Sequence, residues 1–239
     1  TMQIILIAAG RGGRLMPTTA DAPKCYAEVA GKSLLDWALD AFRVNEFDRI
    51  CFIGGYQIDK VRQKYPQFEF RHNADWSNNN ILASLFYAED LMDQPFICCY
   101  SDILFTPQVI GALAKSPADI ALGVDTEWLT RYEHRLQPPS DDAEKVPIAK
   151  NADSQSLVTR VHRNITEADA YGEYIGVAKF SAAGAAKLRE HYHRRRAEFA
   201  GKPWREAKVF EKAYLIHLLQ DMVEAGQPMS HVDTPRRVH

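Results

Sequence analysis

Apolar residues recur along this chain with two periods, and the alternation between them outlines the elements. Residues 4–8 form an unbroken apolar run, the pattern of a strand covered on both faces. Ser33 then offers a cap to a helix whose apolar positions Leu34, Leu35, Trp37, Ala38, Leu39 and Phe42 fall at helical spacing. Residues 49–55 read as a second buried strand ending in glycines, followed by a helix over 57–64 and a strand over 68–72. The pattern predicts a further helix over 79–91 and an apolar strand over 95–100 that closes on Ser101 and Asp102. Beyond it, residues 120–124 form another strand, and 137–153 are polar, contain proline and read as a loop over the site. Strands over 156–162 and 173–180 are expected as a mixed extension. A helix from Ala182 runs into the basic tract 191–196, and an amphipathic helix spans 208–224, with Phe210, Tyr214, Leu215, Leu218, Leu219 and Met222 on its apolar side.

Strands that alternate with helices pair in parallel through right-handed crossovers, so the expected fold is an α/β sandwich. Ligands of such sheets lie beyond the carboxyl ends of the strands. That rule selects residues 9–14, 54–56 and 101–102 before any chemistry is considered. With no internal repeat and no low-complexity linker, residues 2–239 are expected to form one domain, with a lid-like insertion over 125–153 on the acceptor side.

Composition narrows the function only a little. A chain of 239 residues with a net charge of −2 can bury a core, and it lacks the broad positive charge that captures nucleic acid. Cys25, Cys51, Cys98 and Cys99 have no C-x-x-C spacing, and reduced, mostly buried thiols in a cytoplasmic protein are the expectation. No apolar run approaches the roughly 20 residues that cross a bilayer, so no membrane insertion is expected. His191 and His193 are two apart, which puts them on different faces of a helix, and no histidine spacing suggests zinc. The arginines of the 191–196 tract read as a solvated helix face. A homodimer is compatible with all of this.

The chemistry is concentrated in residues 4–24. Gly10, Gly12 and Gly13 allow backbone N–H groups to approach phosphate oxygens, while Arg14 and Lys24 can neutralise a polyphosphate. The spacing is neither G-x-x-x-x-G-K-[ST] nor G-x-G-x-x-G, which excludes the P-loop and dinucleotide fingerprints. On spacing alone, a glycine-rich turn with surface charges remains open.

Ala8-Ala9-Gly10, Gly12, Arg14-Leu15, Pro17, Thr19 and Pro23-Lys24 together resemble the signature of nucleotidyltransferases, which couple a nucleoside triphosphate to a phosphorylated small molecule. The resemblance implies a Rossmann-like α/β/α sandwich of the GT-A-like kind, with a mixed, mainly parallel sheet. It places Ala8, Ala9, Gly10, Arg11, Gly12, Gly13 and Arg14 around the nucleotide. Lys24 would sit at charge developing on the α-phosphate, and Lys24, Arg14 and Asp102 form the catalytic set. Asp102 would hold Mg²⁺. The family's second metal carboxylate comes from a Glu-Ile-Asp segment near the C-terminus. Residues 234–239 stand where that segment should begin, so a missing natural tail is expected, with Asp233 and Asp221 outside the motif.

Asn79, Asn80, Ser84 and Leu85 stand in an N-N-x-x-x-S-L arrangement. Bunched asparagines also serve as turn and cap residues. The arrangement is similar to that of bacterial cytidylyltransferases for choline phosphate and for phosphonates, which implies CTP as donor with Asn79 and Ser84 near the cytidine. Trp128, Arg131, Tyr132 and Arg135, followed by Lys145, resemble the acceptor side of the phosphonate enzymes. The three cations among them suit a phosphonate dianion. Glu173 could pair with an acceptor ammonium and Lys179 adds positive charge; an aromatic cage from Trp128, Tyr132, Tyr171 and Tyr174 would instead suit choline. The expected reaction is Mg²⁺-dependent transfer from CTP to a small phosphonate, best 2-aminoethylphosphonate. Phosphocholine, then a sugar 1-phosphate, are the next acceptors, and a catalytically silent nucleotide sensor is the rival of another class.

Overall fold

The structure, a computed structural model, describes residues 2–10, 22–129 and 143–234. Its centre is an eight-stranded sheet whose path begins at an edge strand near the C-terminus and ends on the fifth strand of the chain. The strands are β1 (Gln3–Ala8), β4 (Ile50–Gly54), β5 (Glu69–His72), β6 (Phe96–Tyr100), β7 (Ile120–Asp125), β8 (Lys145–Val146), β11 (Gly172–Phe180) and β12 (Ser230–Thr234). Their order is β12-β7-β11-β6-β1-β4-β5, with β8 added to β11. Every pairing among β6, β1, β4 and β5 and between β7 and β12 is parallel; β11 runs antiparallel to β6, β7 and β8. Two small ribbons stand apart, β2 (Glu28–Val29) with β3 (Lys32–Ser33), and β9 (Ile148–Lys150) with β10 (Ser156–Val158).

The continuous apolar runs divide between the two faces of the sheet with the strand period of two. Ile5, Ile7, Phe96 and Cys98 enter one core, which α3 (Ile81–Leu85), α5 (Ala182–Phe199) and α6 (Leu215–Glu224) cover. Ile4, Leu6, Ala8, Ile97 and Cys99 enter the other, beneath α1 (Leu34–Val44), α2 (Ile58–Lys64) and α4 (Pro107–Lys115). The result is the expected three-layer α/β/α arrangement, with a mixed, mainly parallel sheet. All four cysteines are buried and free.

Several boundaries differ from the sequence pattern for identifiable reasons. Ser33 caps α1 as expected, accepting from the Asp36 N–H at 3.0 Å. The 79–91 helix is broken: Asn80 starts α3, a 3₁₀ stretch replaces it from Phe86, and Ala88 carries non-helical angles of φ −103° and ψ 22°. The 208–224 helix begins only at Leu215, because Tyr214 caps it and donates its N–H to His217 Nδ1 at 3.0 Å. Part of the expected loop over 137–153 is strand, since Lys145 and Val146 pair with Glu173 and Gly172. Of the strand expected over 156–162, only β10 forms, and it joins β9 outside the main sheet. Besides the short β2–β3 ribbon, α4 escaped the pattern despite its Thr106 cap and Pro107, as did β12, whose S-H-V-D-T sequence holds one apolar residue.

The irregular step in β11 falls beside the site. Pairing with β7 shifts between Tyr174 and Ala178, where Gly176 adopts φ +76°. A side chain there would have to overlap the Tyr100 ring, 2.4 Å from the position of a Cβ.

Candidate active site

Parallel pairing brings the carboxyl ends of β1, β4, β5, β6 and β7 to one edge, and the start of antiparallel β11 joins them. Ala8 and Ala9 end β1 as buried residues, and Gly10 is exposed. The Tyr56 N–H donates to the Ala9 carbonyl at 3.0 Å, fixing the exit from β4 against the exit from β1. Gly55 permits that approach: a Cβ on it would lie 2.7 Å from both the Ala9 oxygen and Trp76 Cβ. Residues 11–21, and with them Arg11, Gly12, Gly13 and Arg14, lie outside the described residues.

Lys24 returns to this edge on a single 3₁₀ turn, Lys24–Tyr26, whose Cys25 side chain is buried. Burial pushes the Cys25 thiol up to about 12, so it stays a neutral anchor for the turn. Lys24 Nζ meets Asp102 Oδ2 at 2.7 Å, with both side chains about one-third exposed (31% and 29%). Thus 78 residues of sequence separate two charges that the fold places in contact. They face a cleft of about 130 Å³ whose lining includes Ala8, Ala9, Gly10, Asn79, Ser84 and Asp102.

The floor on the β5 side is a polar knot. Asn73 and Asn79 exchange side-chain amide hydrogen bonds at 2.9 and 3.0 Å, and Asn73 also donates to the Ser84 hydroxyl at 3.2 Å. Asn73 is completely buried, so these partners satisfy an amide that would otherwise be costly to bury. Asn80 does different work, accepting from the Ile81 N–H at 2.9 Å to start α3. Sequence reading named Asn79 and Ser84 and missed Asn73 and Trp76, which also line the cleft. The signal for Asn73 was its place immediately after a strand, at the edge the sheet rule selects. Trp76 packs edge-on against Tyr56, ring centroids 5.5 Å apart.

At the start of β11, Glu173 lies opposite Asp125 of β7 and opposite Lys145 of β8. The buried Lys145 donates its ammonium to the Arg163 carbonyl at 2.5 Å. Trp128, just past β7, is 3% exposed. Arg131, Tyr132 and Arg135 lie outside the described residues. Lys179 is a correction. It pairs with Ile97 and Ala121 at the opposite edge of the sheet, and its ammonium donates to the Ser116 and Ala118 carbonyls at 2.9 and 2.6 Å. Six residues after Glu173, a strand has simply carried it away from the site.

Glu144 is the perturbed group of this edge. Burial raises its carboxyl to about 7, the facing Arg163 offsets part of this, and the Glu173 and Asp102 charges push it further up. The Tyr100 hydroxyl donates to Glu144 Oε1 at 3.4 Å. A carboxyl raised above its unfolded value favours the folded state fully below the ordinary glutamate range, and that contribution is lost as pH rises through about 7. Glu144→Gln is therefore expected to raise the unfolding temperature over wild type at pH 8. The gain should shrink toward zero near pH 4.5, in thermal melts across that range. A gain independent of pH would contradict the assigned environment.

Among the described residues no group of three His, Cys, Asp or Glu side chains could hold a metal ion. Magnesium does not need one, since it takes one or two carboxylates together with waters and phosphate oxygens. Asp102, a hard oxygen donor lining the cleft, fits that requirement. Asp233 also reaches this edge, near the end of β12 and in register with Val124; it accepts from the Tyr171 hydroxyl and meets His231 Nδ1 at 2.6 Å. Asp221 does not: on α6 it pairs with Arg195 and Arg205 at 2.9 and 3.0 Å. Burial alone would raise its carboxyl, but those two guanidiniums bring it below the ordinary range. The 191–196 tract is likewise occupied by local ion pairs, Arg194 with Glu190 and Arg195 with Glu198 as well as Asp221. No described helix is long and apolar enough to cross a membrane.

Residues 4–140 match the MobA-like NTP transferase domain. Over 236 residues the chain is 27% identical to the CTP:phosphoglutamine cytidylyltransferase of Campylobacter jejuni, covering 93% of this chain and 88% of that one. It is 29% identical over 99 residues to the 2-aminoethylphosphonate cytidylyltransferase of Lancefieldella rimae, covering 39% and 40%. Among solved structures, the CTP:phosphocholine cytidylyltransferase of Streptococcus pneumoniae superposes with a TM-score of 0.67 at 17% identity, over 98% of this chain and 90% of that one.

Proposed function

The chain belongs to the MobA-like NTP transferase family and is a nucleotidyltransferase, and we propose that it is a Mg²⁺-dependent cytidylyltransferase. Its substrates would be CTP and a small phosphonate or phosphate ester carrying an amine. The observation that carries this reading is the contact of Lys24 with Asp102 in a cleft shared with the end of β1 and the Asn73–Asn79–Ser84 knot. The relatives that use CTP support the donor, and the Asn79 to Ser84 segment is where this chain resembles them. 2-Aminoethylphosphonate remains an acceptor in this class. The relative that spans nearly the whole chain puts phosphoglutamine beside it, with phosphocholine as the further alternative.

In this reading the triphosphate lies over the exit from β1, where the exposed Gly10 leaves room for close approach. With the triphosphate bound, the Lys24 ammonium would turn to a phosphate oxygen and leave the Asp102 carboxylate free to hold a cation. Magnesium, held by Asp102 together with water and phosphate oxygens, would neutralise phosphate charge. An anionic oxygen of the acceptor's phosphoryl or phosphonyl group attacks the α-phosphorus in line. The new P–O bond forms as the bond to the β-phosphate oxygen breaks, and pyrophosphate leaves with that electron pair. The nucleophile is already anionic, so no general base is required. Lys24 holds the charge that grows on the α-phosphate, and the protein's contribution is positioning and neutralisation. Glu173 presents negative charge to the acceptor amine, and an ammonium beside Glu144 would bring its raised carboxyl down and favour the charged form. Trp76 and Asn79 border the space left for the base.

Pyrophosphate release with Mg²⁺ and each acceptor, using CTP, UTP or dTTP, tests the reading. CTP is expected to give the highest kcat/KM. A higher value with UTP or dTTP would remove the cytidine assignment, and no release with any acceptor would remove the proposal.

A further inference from the structure

A second cavity, of about 420 Å³, opens beside the first, and Asn80 lines both. Its charge is of the opposite kind from the Glu144–Glu173 edge. Arg163, Lys208 and Lys212 line it, with His162, His217 and a single acid, Glu206. That acid is already engaged, with His162 Nε2 at 2.6 Å and His217 Nε2 at 3.3 Å. Burial lowers the His217 imidazole to about 4, so at neutral pH it is an uncharged wall. Lys208 and Lys212 are exposed and make no ion pair among the described residues. Arg163 is half-buried with its guanidinium 4.4 Å over the Tyr214 ring, and its Nε is buried without a hydrogen-bond partner. An arginine held over a ring, with an unanswered donor and two lysines without ion pairs around the same space, suits a carboxylate or phosphate oxygen pair.

The place of this cavity says which anion. Arg163 faces Glu144, the Glu144 carboxyl accepts from Tyr100, and Asp102 follows Tyr100 at the end of β6. The cations thus lie beside the Glu144 edge, in a cavity that meets the nucleotide cleft at Asn80. A molecule whose phosphoryl group meets the nucleotide and whose amine meets Glu144 and Glu173 would direct its remaining substituent here.

We propose that the acceptor carries a carboxylate in addition to its amine, so that it is a phosphorylated or phosphonate amino acid, and that Arg163, Lys208 and Lys212 select it. This rests on the cytidylyltransferase reading above and deepens it. Simple amines such as phosphoethanolamine or 2-aminoethylphosphonate leave the cationic cavity unanswered, whereas their carboxylated counterparts fill it.

Two matched pairs of acceptors test this, each differing by one carboxylate: O-phosphoserine with O-phosphoethanolamine, and 2-amino-3-phosphonopropionate with 2-aminoethylphosphonate. With CTP and Mg²⁺, pyrophosphate release should favour the carboxylated member of each pair by about tenfold or more in kcat/KM. Lys208→Ala/Lys212→Ala is built from two exposed lysines and should fold normally. It should abolish the preference by raising KM for the carboxylated acceptor, with kcat and the amine-only acceptors unchanged, and Lys208→Arg/Lys212→Arg should restore it. Equal or better use of the amine-only members, or a preference that survives the double alanine variant, overturns the carboxylate assignment and leaves cytidylyl transfer standing. Absence of pyrophosphate with all four acceptors and with phosphoglutamine and phosphocholine rejects the cytidylyltransferase reading itself.

Discussion

Lys24→Ala is expected to lower pyrophosphate release by about 10²–10³ in kcat, with kcat/KM falling by a similar factor. In the proposed reaction both constants fall together, because the ammonium would answer charge that develops at the α-phosphorus, an interaction stronger in the transition state than in the bound substrate. The fold should be indifferent. Lys24 is one-third exposed, and the turn that carries it is anchored by the buried Cys25 next to it. Its ion pair with Asp102 is a partly exposed one, of a kind that contributes little to stability. Steady-state kinetics beside a thermal melt will separate the two effects. Near-normal turnover with an unchanged melt would mean that the reacting phosphate lies elsewhere.

Asp102→Asn is the second large effect, and it should look different. The substitution keeps the shape and the hydrogen-bonding capacity of the side chain while removing the charge that suits a hard cation. Turnover at low Mg²⁺ should fall by about two orders of magnitude or more, and part of it should return as Mg²⁺ is raised, since the defect lies partly in holding the ion. The measurement is rate against Mg²⁺ concentration at saturating CTP. A curve with the wild-type midpoint would remove Asp102 from the metal site. Asp221→Asn is the matching control. Its carboxylate is bound between Arg195 and Arg205 on α6, so the expected loss is in the melting temperature, with the Mg²⁺ curve unchanged.

The strands were legible because buried parallel strands must be apolar on both faces, which leaves unbroken runs such as those in β1, β4 and β6. β12 was not, because an edge strand half open to solvent needs no such run. The 208–224 segment misled for another reason. Its apolar spacing continues through Phe210 and Tyr214, but the Tyr214 cap, bonded to His217, starts the helix only at Leu215, and a local hydrogen bond leaves no mark in hydrophobic periodicity. Lys179 misled because proximity in sequence along a strand is distance across a sheet. Seven residues after Gly172, β11 has reached the opposite edge.

By itself the sequence determined the layered α/β fold and the nucleotidyltransferase signature. Both are local patterns, one of hydrophobic period and one of glycine, arginine, proline and lysine spacing. Tertiary structure alone decided the company these residues keep. It set Lys24 against Asp102, tied Asn73 to Asn79 and Ser84, withdrew Lys179, and put Arg163 beside Lys208 and Lys212 around one cavity. Such meetings depend on strand order and register, and those are fixed by how the whole sheet buries its two faces.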